Sequence, residues 1–274
     1  MIRNYGICIV LGILLGLISG KIAGQELNIK IGEKHAIKSV ILSEDREILV
    51  HLPENYNNSD KAYPVFLRLD GSNILLTETF VIVNRLTYSY EITPEMIIVV
   101  VNNIERDKDM WPVNTKYYPE PRVPGASNFL SFIEKELLPY IDDSFRCTGE
   151  RIICGQSLSS VFVLNAFLQQ PGLFDSYIAI SGAFPGCEEY FRKLTEVAMM
   201  QKDKFDRRKL FISNGLKDPL DPNGTMHQQM NDFTKLLNRE IGDKISLKYL
   251  PYKNEGHVPF HSLYDGLSFI FRNR

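Results

Sequence analysis

Apolar and polar positions along the chain sort into short apolar runs and longer amphipathic stretches. "AIKSVILS" (36–43) and "REILVHLP" (46–53) are β-rich runs separated by "EDR", which predicts a hairpin. "PVFLRLDG" (64–71) is an apolar strand closing on Asp-Gly, and 74–90 is helix-compatible. "MIIVVVNN" (96–103) is continuously apolar, as a strand buried on both faces must be. "SNFLSFIEKELLPYIDDSF" carries Phe129, Ile133, Leu137 and Ile141 every four residues, which predicts an amphipathic helix with Ser127 as its N-cap. Further strands are expected at "RIIC" (151–154), "SYIAISG" (176–182), "KLFISNG" (209–215) and "ISLKYLP" (245–251). Helices are expected from Leu158, over 187–201 and 226–240, and near 260–271. Strands alternating with helices predict an α/β fold: a mostly parallel central sheet, an N-terminal antiparallel hairpin, and helices on both faces. In such sheets the reactive groups sit on loops beyond the carboxyl ends of the strands.

The N-terminus breaks this pattern. Residues 1–24 hold one early arginine, an apolar run over 7–18 and the small residues "IAG" before Gln25, the shape of a secretory signal peptide. The run is short for a membrane span, so the expectation is export with cleavage, a secreted or periplasmic protein, and no stable membrane insertion afterwards. Residues 25–274 are then one domain, long enough for one large core. A net charge of −2 gives no basic field for nucleic acid. Beyond the leader stand Cys147, Cys154 and Cys187, read as buried or half-buried thiols. No zinc-type spacing occurs, and no metal or cofactor is expected.

"CGQSLSS" (154–160) lies between a predicted strand and a predicted helix. That context suits a sharp turn that exposes a nucleophilic Ser157 at a helix N-terminus, where backbone N–H groups can receive an oxyanion. Glycine usually flanks the serine on both sides; Gly155 is present, and Ser159 stands in the second place as a small packing substitution. A hydrolase of this kind needs serine, acid and histidine in that chain order. Asp218 follows "KLFISNG" and His257 follows "ISLKYLP", so Asp218 is the expected acid and His257 the expected base. Asp221 is the alternative acid and His261 the alternative base; His35, His51 and His227 are read as structural. The oxyanion amides are expected from Leu158 and from Gly71 or Ser72. Asp70 is read as a turn residue. The loop 104–125, rich in proline and aromatics, should overhang the site, with Arg106, Trp111, Tyr117, Tyr118 and Arg122 either meeting substrate or pinning the loop. Arg68, odd on a buried strand, should pair with Asp70 or a neighbouring acid, with substrate contact as the alternative.

Together "YPVFLRLDG", "VVVNNIERDKDMWP", "RIICGQSLSSVFVLNAFLQQPGLFDSYIAISGAF" and "EGHVPFHSLYDGLSFIF" resemble the α/β-hydrolase esterases of the enterochelin (siderophore) esterase type, related to feruloyl esterases and S-formylglutathione hydrolases. The resemblance spans roughly 36–272. It implies Ser157 as nucleophile, His257 as base, and the amides of Leu158 and Ser72 as oxyanion donors. The chain departs from the family where Ser-x-Gly-Gly becomes Ser157-Leu158-Ser159-Ser160, and where a glycine-rich stretch before the helix at 127 shrinks to "PGA". The function expected is a secreted serine esterase acting on a siderophore or carbohydrate/feruloyl ester. The alternatives are an acyltransferase on the same triad, or a degenerate binding protein that kept the fold.

Overall fold

The apolar runs become the middle of one eight-stranded sheet in the order β1-β2-β4-β3-β5-β6-β7-β8. The computed structural model describes residues 30–114 and 123–272; the expected signal peptide and Tyr117, Tyr118 and Arg122 lie outside them. Strands β1 (Glu33–Ser39) and β2 (Glu44–His51) form the antiparallel hairpin, and β2 pairs antiparallel with β4 (Ile97–Val101). All later pairings are parallel: β3 (Tyr63–Arg68) with β4 and β5 (Cys147–Gln156), then β6 (Ser176–Ile180), β7 (Lys209–Gly215) and β8 (Ser246–Tyr252).

Strand alternation divides the core in two. Val65, Leu67, Val99, Ile153, Ala179 and Ile212 face one layer. That layer contains α3 (Ala126–Phe132), α4 (Leu138–Ser144), α5 (Leu158–Gln169), α6 (Glu188–Met199) and α7 (Thr225–Ile241). Phe66, Ile98, Val100, Ile152, Ile178 and Phe211 face the other, with α1 (Asn73–Asn84) and α8 (Ser262–Arg272). Between β4 and α3 lies a short helix, α2 (Arg106–Met110).

Three local expectations are corrected. The hairpin turn falls at 40–43, not at "EDR", because the Glu136 carboxylate accepts hydrogen bonds from the amides of Val40 and Ile41 (2.9 and 3.1 Å) and from Ser39 Oγ (2.5 Å). Ser127 is not a cap: α3 starts at Ala126 behind Gly125. Here docking decides, since Gly125 N donates to Lys108 O (2.8 Å) and a side chain on Gly125 would meet that oxygen at 2.6 Å. Finally, the helix from Ala126 contains a π-helical turn, Ile133–Leu137. Spacing of four residues drifts by about 40° per step on an α-helix, about 120° from Phe129 to Ile141; one extra residue in a π turn takes back about 100°. That is how all four residues stay fully buried on one face.

The loop after β4 is anchored from within. Arg46 of β2, 1% exposed, makes a bidentate pair with Asp109 of α2 (2.6 and 2.8 Å), also bonds Glu44, and lies over the Phe129 ring. Burial disfavours the charge, but the two carboxylates outweigh it, and the Arg46 pKa lies above its ordinary value. Removing one partner of such a pair leaves a buried charge short of ligands. Asp109→Ala is therefore expected to cost about 3 kcal/mol of stability, read as a fall in the denaturant midpoint; an unchanged midpoint would contradict the anchoring role.

Candidate active site

The turn from β5 into α5 is set by two residues. A side chain on Gly155 would stand 2.4 Å from Ser159 O, so only glycine lets the strand and the helix approach this closely. Ser157 takes φ 54°, ψ −122°, a region that residues with a side chain rarely occupy. The geometry is held by Ser157 N donating to Ile180 O (2.9 Å), by Ser160 N donating to Ser157 O (2.9 Å), and by Ser160 Oγ, 2.6 Å from Ser157 O. The serine hydroxyl is thereby lifted beyond the carboxyl edge of the sheet.

Two later strand ends meet it there. His257, after β8, has Nε2 2.8 Å from Ser157 Oγ and Nδ1 2.6 Å from Asp218 Oδ2. Asp218, after β7, is 7% exposed, and its Oδ1 accepts from Leu220 N (2.8 Å). The two loops lock together: Lys217 N donates to Glu255 O, and a side chain on Gly215 would collide with Gly256 O at 1.9 Å. Val258, with φ 55°, donates its amide to Ser181 Oγ (2.9 Å), which fixes the chain beside His257.

The alternatives are engaged elsewhere. Both Asp221 oxygens accept backbone amides of α7, from Met226 and His227 (3.0 Å each). His261 pairs with Glu255 (3.0 Å). His227 bonds Tyr249, His35 bonds Tyr140, and His51 bonds Ile31 O with its pKa lowered by burial. Of the two loop amides after β3, that of Gly71 donates to Val101 O (2.7 Å). The Ser72 amide follows at the start of α1, where Ser72 Oγ caps Leu75 N (3.2 Å). Helices α1 and α5 thus begin at the carboxyl ends of the neighbouring strands β3 and β5 and run to opposite faces of the sheet. Two helix N-termini carry the partial positive charge that a developing oxyanion needs.

The residues read as substrate contacts are placed differently. Trp111 is 1% exposed within the main core cluster, so it anchors the loop. Arg106 spends Nε and Nη2 on the two oxygens of Asp70 (2.7 and 2.8 Å). Asp70 is accordingly an ionic hub with φ 61° rather than a plain turn residue. Among the described residues Arg68 pairs with no carboxylate; it donates to Cys154 Sγ (2.9 Å) and Gln156 Oε1 (2.6 Å). Burial raises the Cys154 pKa against the pull of Arg68, so the sulfur accepts as a neutral thiol. Cys147 is half-buried and Cys187 buried. Among the described residues no cluster of His, Cys, Asp and Glu could hold a metal. Sequence reasoning missed Asn103, whose Nδ2 also bonds Asp70 (2.7 Å), and the polar role of Ser159, whose Oγ lies 2.7 Å from Asp70 Oδ2.

A Ser–Asp–His order along the chain, brought together on strand ends of this sheet, defines the class: a serine hydrolase of the α/β-hydrolase fold. Residues 39–262 match the esterase family model described as "Putative esterase", and the chain belongs to that family. It is 26% identical over 220 residues to ferri-bacillibactin esterase BesA of Bacillus subtilis (strain 168), covering 72% of this chain and 74% of that protein. The IroE-like serine hydrolase from Shewanella oneidensis is similar with a TM-score of 0.80 at 25% identity, over 88% of this chain and 80% of that one. The BES protein from Bacillus cereus shares the fold with a TM-score of 0.78 at 24% identity, over 91% and 99%.

Because Asp221 caps a helix, Asp221→Ala should lower stability by about 1 kcal/mol, a melting shift of a few degrees, while turnover persists. Loss of turnover in the folded variant would assign Asp221 to the reaction instead.

Proposed function

We propose that this chain is an exported serine esterase that cleaves a carboxylic ester through an acyl-enzyme on Ser157. The observation that carries this is the unbroken chain Ser157 Oγ–His257 Nε2–His257 Nδ1–Asp218 Oδ2, at 2.8 and 2.6 Å. Ser157 Oγ attacks the ester carbonyl while His257 Nε2 takes its proton. Asp218 holds the imidazole with Nδ1 protonated and stabilises the imidazolium. The carbonyl oxygen, now an oxyanion, is received by the amides of Leu158 and Ser72. Collapse breaks the ester C–O bond, and the departing alcohol takes the proton from His257. Water then attacks the acyl-enzyme by the same route, releasing the acid and restoring Ser157.

The substrate reading, an ester of the siderophore kind, is supported by the similarity to a relative named as a ferri-bacillibactin esterase. The rim beyond the strand ends supports a bulky partner with flat apolar surface, since Leu216, Leu220 and Phe260 stand exposed on its loops and Ile74 on the first turn of α1. Export rests on the leader-like residues 1–24.

Ser157→Ala should cut hydrolysis of a short-chain chromogenic ester at least a thousandfold and abolish labelling by a fluorophosphonate. Asp218→Asn should cost roughly 10²–10⁴-fold in kcat. Turnover surviving Ser157→Ala would sink the mechanism. An ester panel with ferric and iron-free catecholate lactones, feruloyl sugars and acetyl sugars tests the substrate class; preference for the sugars would overturn it. For export, N-terminal sequencing of the mature protein should begin at Gln25, and a retained Met1 would contradict cleavage.

A further inference from the structure

The two amides that would receive the oxyanion belong to separate segments: Leu158 opens α5 and Ser72 opens α1. Their spacing must hold to a few tenths of an ångström for both to point at one oxygen. Sheet pairing beneath them helps, with Leu69 N donating to Cys154 O (2.9 Å) and Gly71 N to Val101 O (2.7 Å). A direct side-chain tie also crosses the gap. Ser159, next to Leu158 and fully buried, places Oγ 2.7 Å from Oδ2 of Asp70, two residues before Ser72. The same hydroxyl accepts the amide of Gln156 (2.7 Å) and lies 2.9 Å from Gln156 O.

We propose that Ser159 and Asp70 form a cross-brace fixing the distance between the two oxyanion amides, which makes Ser159 a positioning residue for the esterase reaction. The proposal rests on Ser157 being the nucleophile. It explains why serine stands where glycine is usual: glycine would fit, but it has no atom to offer Asp70. It also explains the loading of Asp70. One oxygen accepts from Asn103 Nδ2 and Arg106 Nε (2.7 Å each), the other from Arg106 Nη2 (2.8 Å) and Ser159 Oγ. Four donors on a carboxylate that is mostly buried leave it no freedom to turn, and bonds to a charged acceptor are the strong ones. Asp70 also holds the left-handed backbone that presents Gly71 and Ser72.

The brace acts on the transition state and not on substrate binding. Removing an oxyanion donor costs 10²–10³ in kcat, so loosening one should cost roughly tenfold or somewhat more. Ser159→Ala and Ser159→Gly are compared with the wild type for kcat and KM on a short-chain chromogenic ester, for inhibition by an aryl trifluoromethyl ketone, and for thermal unfolding. The ketone forms a hemiketal oxyanion on serine and so reports the oxyanion site. Expected are a kcat lower by about tenfold or more, a KM within about threefold, and a Ki weakened by the same factor as kcat/KM. Asp70→Asn should show the same split, and the double variant should lose no more than the worse single one. An unchanged kcat and Ki in either folded Ser159 variant, with only the melting point lowered, would overturn the brace. Ser159→Gly keeps the residue usual in the family, so it guards against a folding failure of Ser159→Ala. Fluorophosphonate labelling of the wild type separates the two ideas: labelling anywhere but Ser157 defeats the nucleophile reading, whereas labelling at Ser157 with intact variants defeats only the brace.

Discussion

Everything at this site hangs on one steric contact: the space above Gly155, into which the first turn of α5 descends. With Ser159 O only 2.4 Å from where a side chain would begin, any other residue would push strand and helix apart. The close approach forces Ser157 into a backbone region that costs about 1–3 kcal/mol. The surrounding hydrogen bonds over-determine it. Strain is concentrated on this edge: of the seven non-glycine residues with positive φ among those described, Asp70, Ser157, Ser181 and Val258 all lie in loops at the carboxyl ends of β3, β5, β6 and β8. For the β-branched Val258 such a conformation is a genuine outlier. Backbone distortion gathered where three strand ends bring serine, acid and histidine together is what a preorganised centre requires.

The loop after β4 shows how polar residues can build a rim without serving as its reading head. Asp109 turns inward to Arg46, Arg106 turns to Asp70, and Trp111 sinks into the core. Each of these side chains is a plausible ligand contact by type, and each is committed to holding the loop. A buried ion pair such as Arg46–Asp109 adds little net stability compared with apolar residues of the same shape. It does penalise any arrangement in which α2 leaves β2.

The central strands are legible because burial on both faces leaves few polar positions, the serine because it follows β5 directly, and the histidine because it lies in the loop after β8. The acid was not separable in sequence. Asp218 and Asp221 share one loop, and what distinguishes them is the start of α7, whose amides claim Asp221. The hairpin turn is not legible in its own segment because its determinant, Glu136, lies 96 residues from Val40. The π turn did leave a trace: a strict four-residue apolar repeat does not suit a straight α-helix. Ser159 reads in the sequence as a packing substitution because its partner, Asp70, is 89 residues away and itself reads as an ordinary turn residue.

Arg68 and Arg106 are best understood together. A buried guanidinium without a carboxylate is costly, and on sequence grounds Asp70 was the nearest relief for Arg68. The fold gives Asp70 to Arg106 instead, and Arg68 takes the neutral thiol of Cys154 and the side-chain oxygen of Gln156. Arg106 meanwhile reaches the backbone oxygen of Gln156 (3.2 Å), and Ser159 Oγ receives its amide (2.7 Å). The residue immediately before the nucleophile is thus held at its amide, its carbonyl and its side chain by three different segments. A nucleophile gains most from not having to be positioned at the moment of reaction. Two arginines that look like anion receptors in the sequence act here on Gln156, the residue on which Ser157 stands.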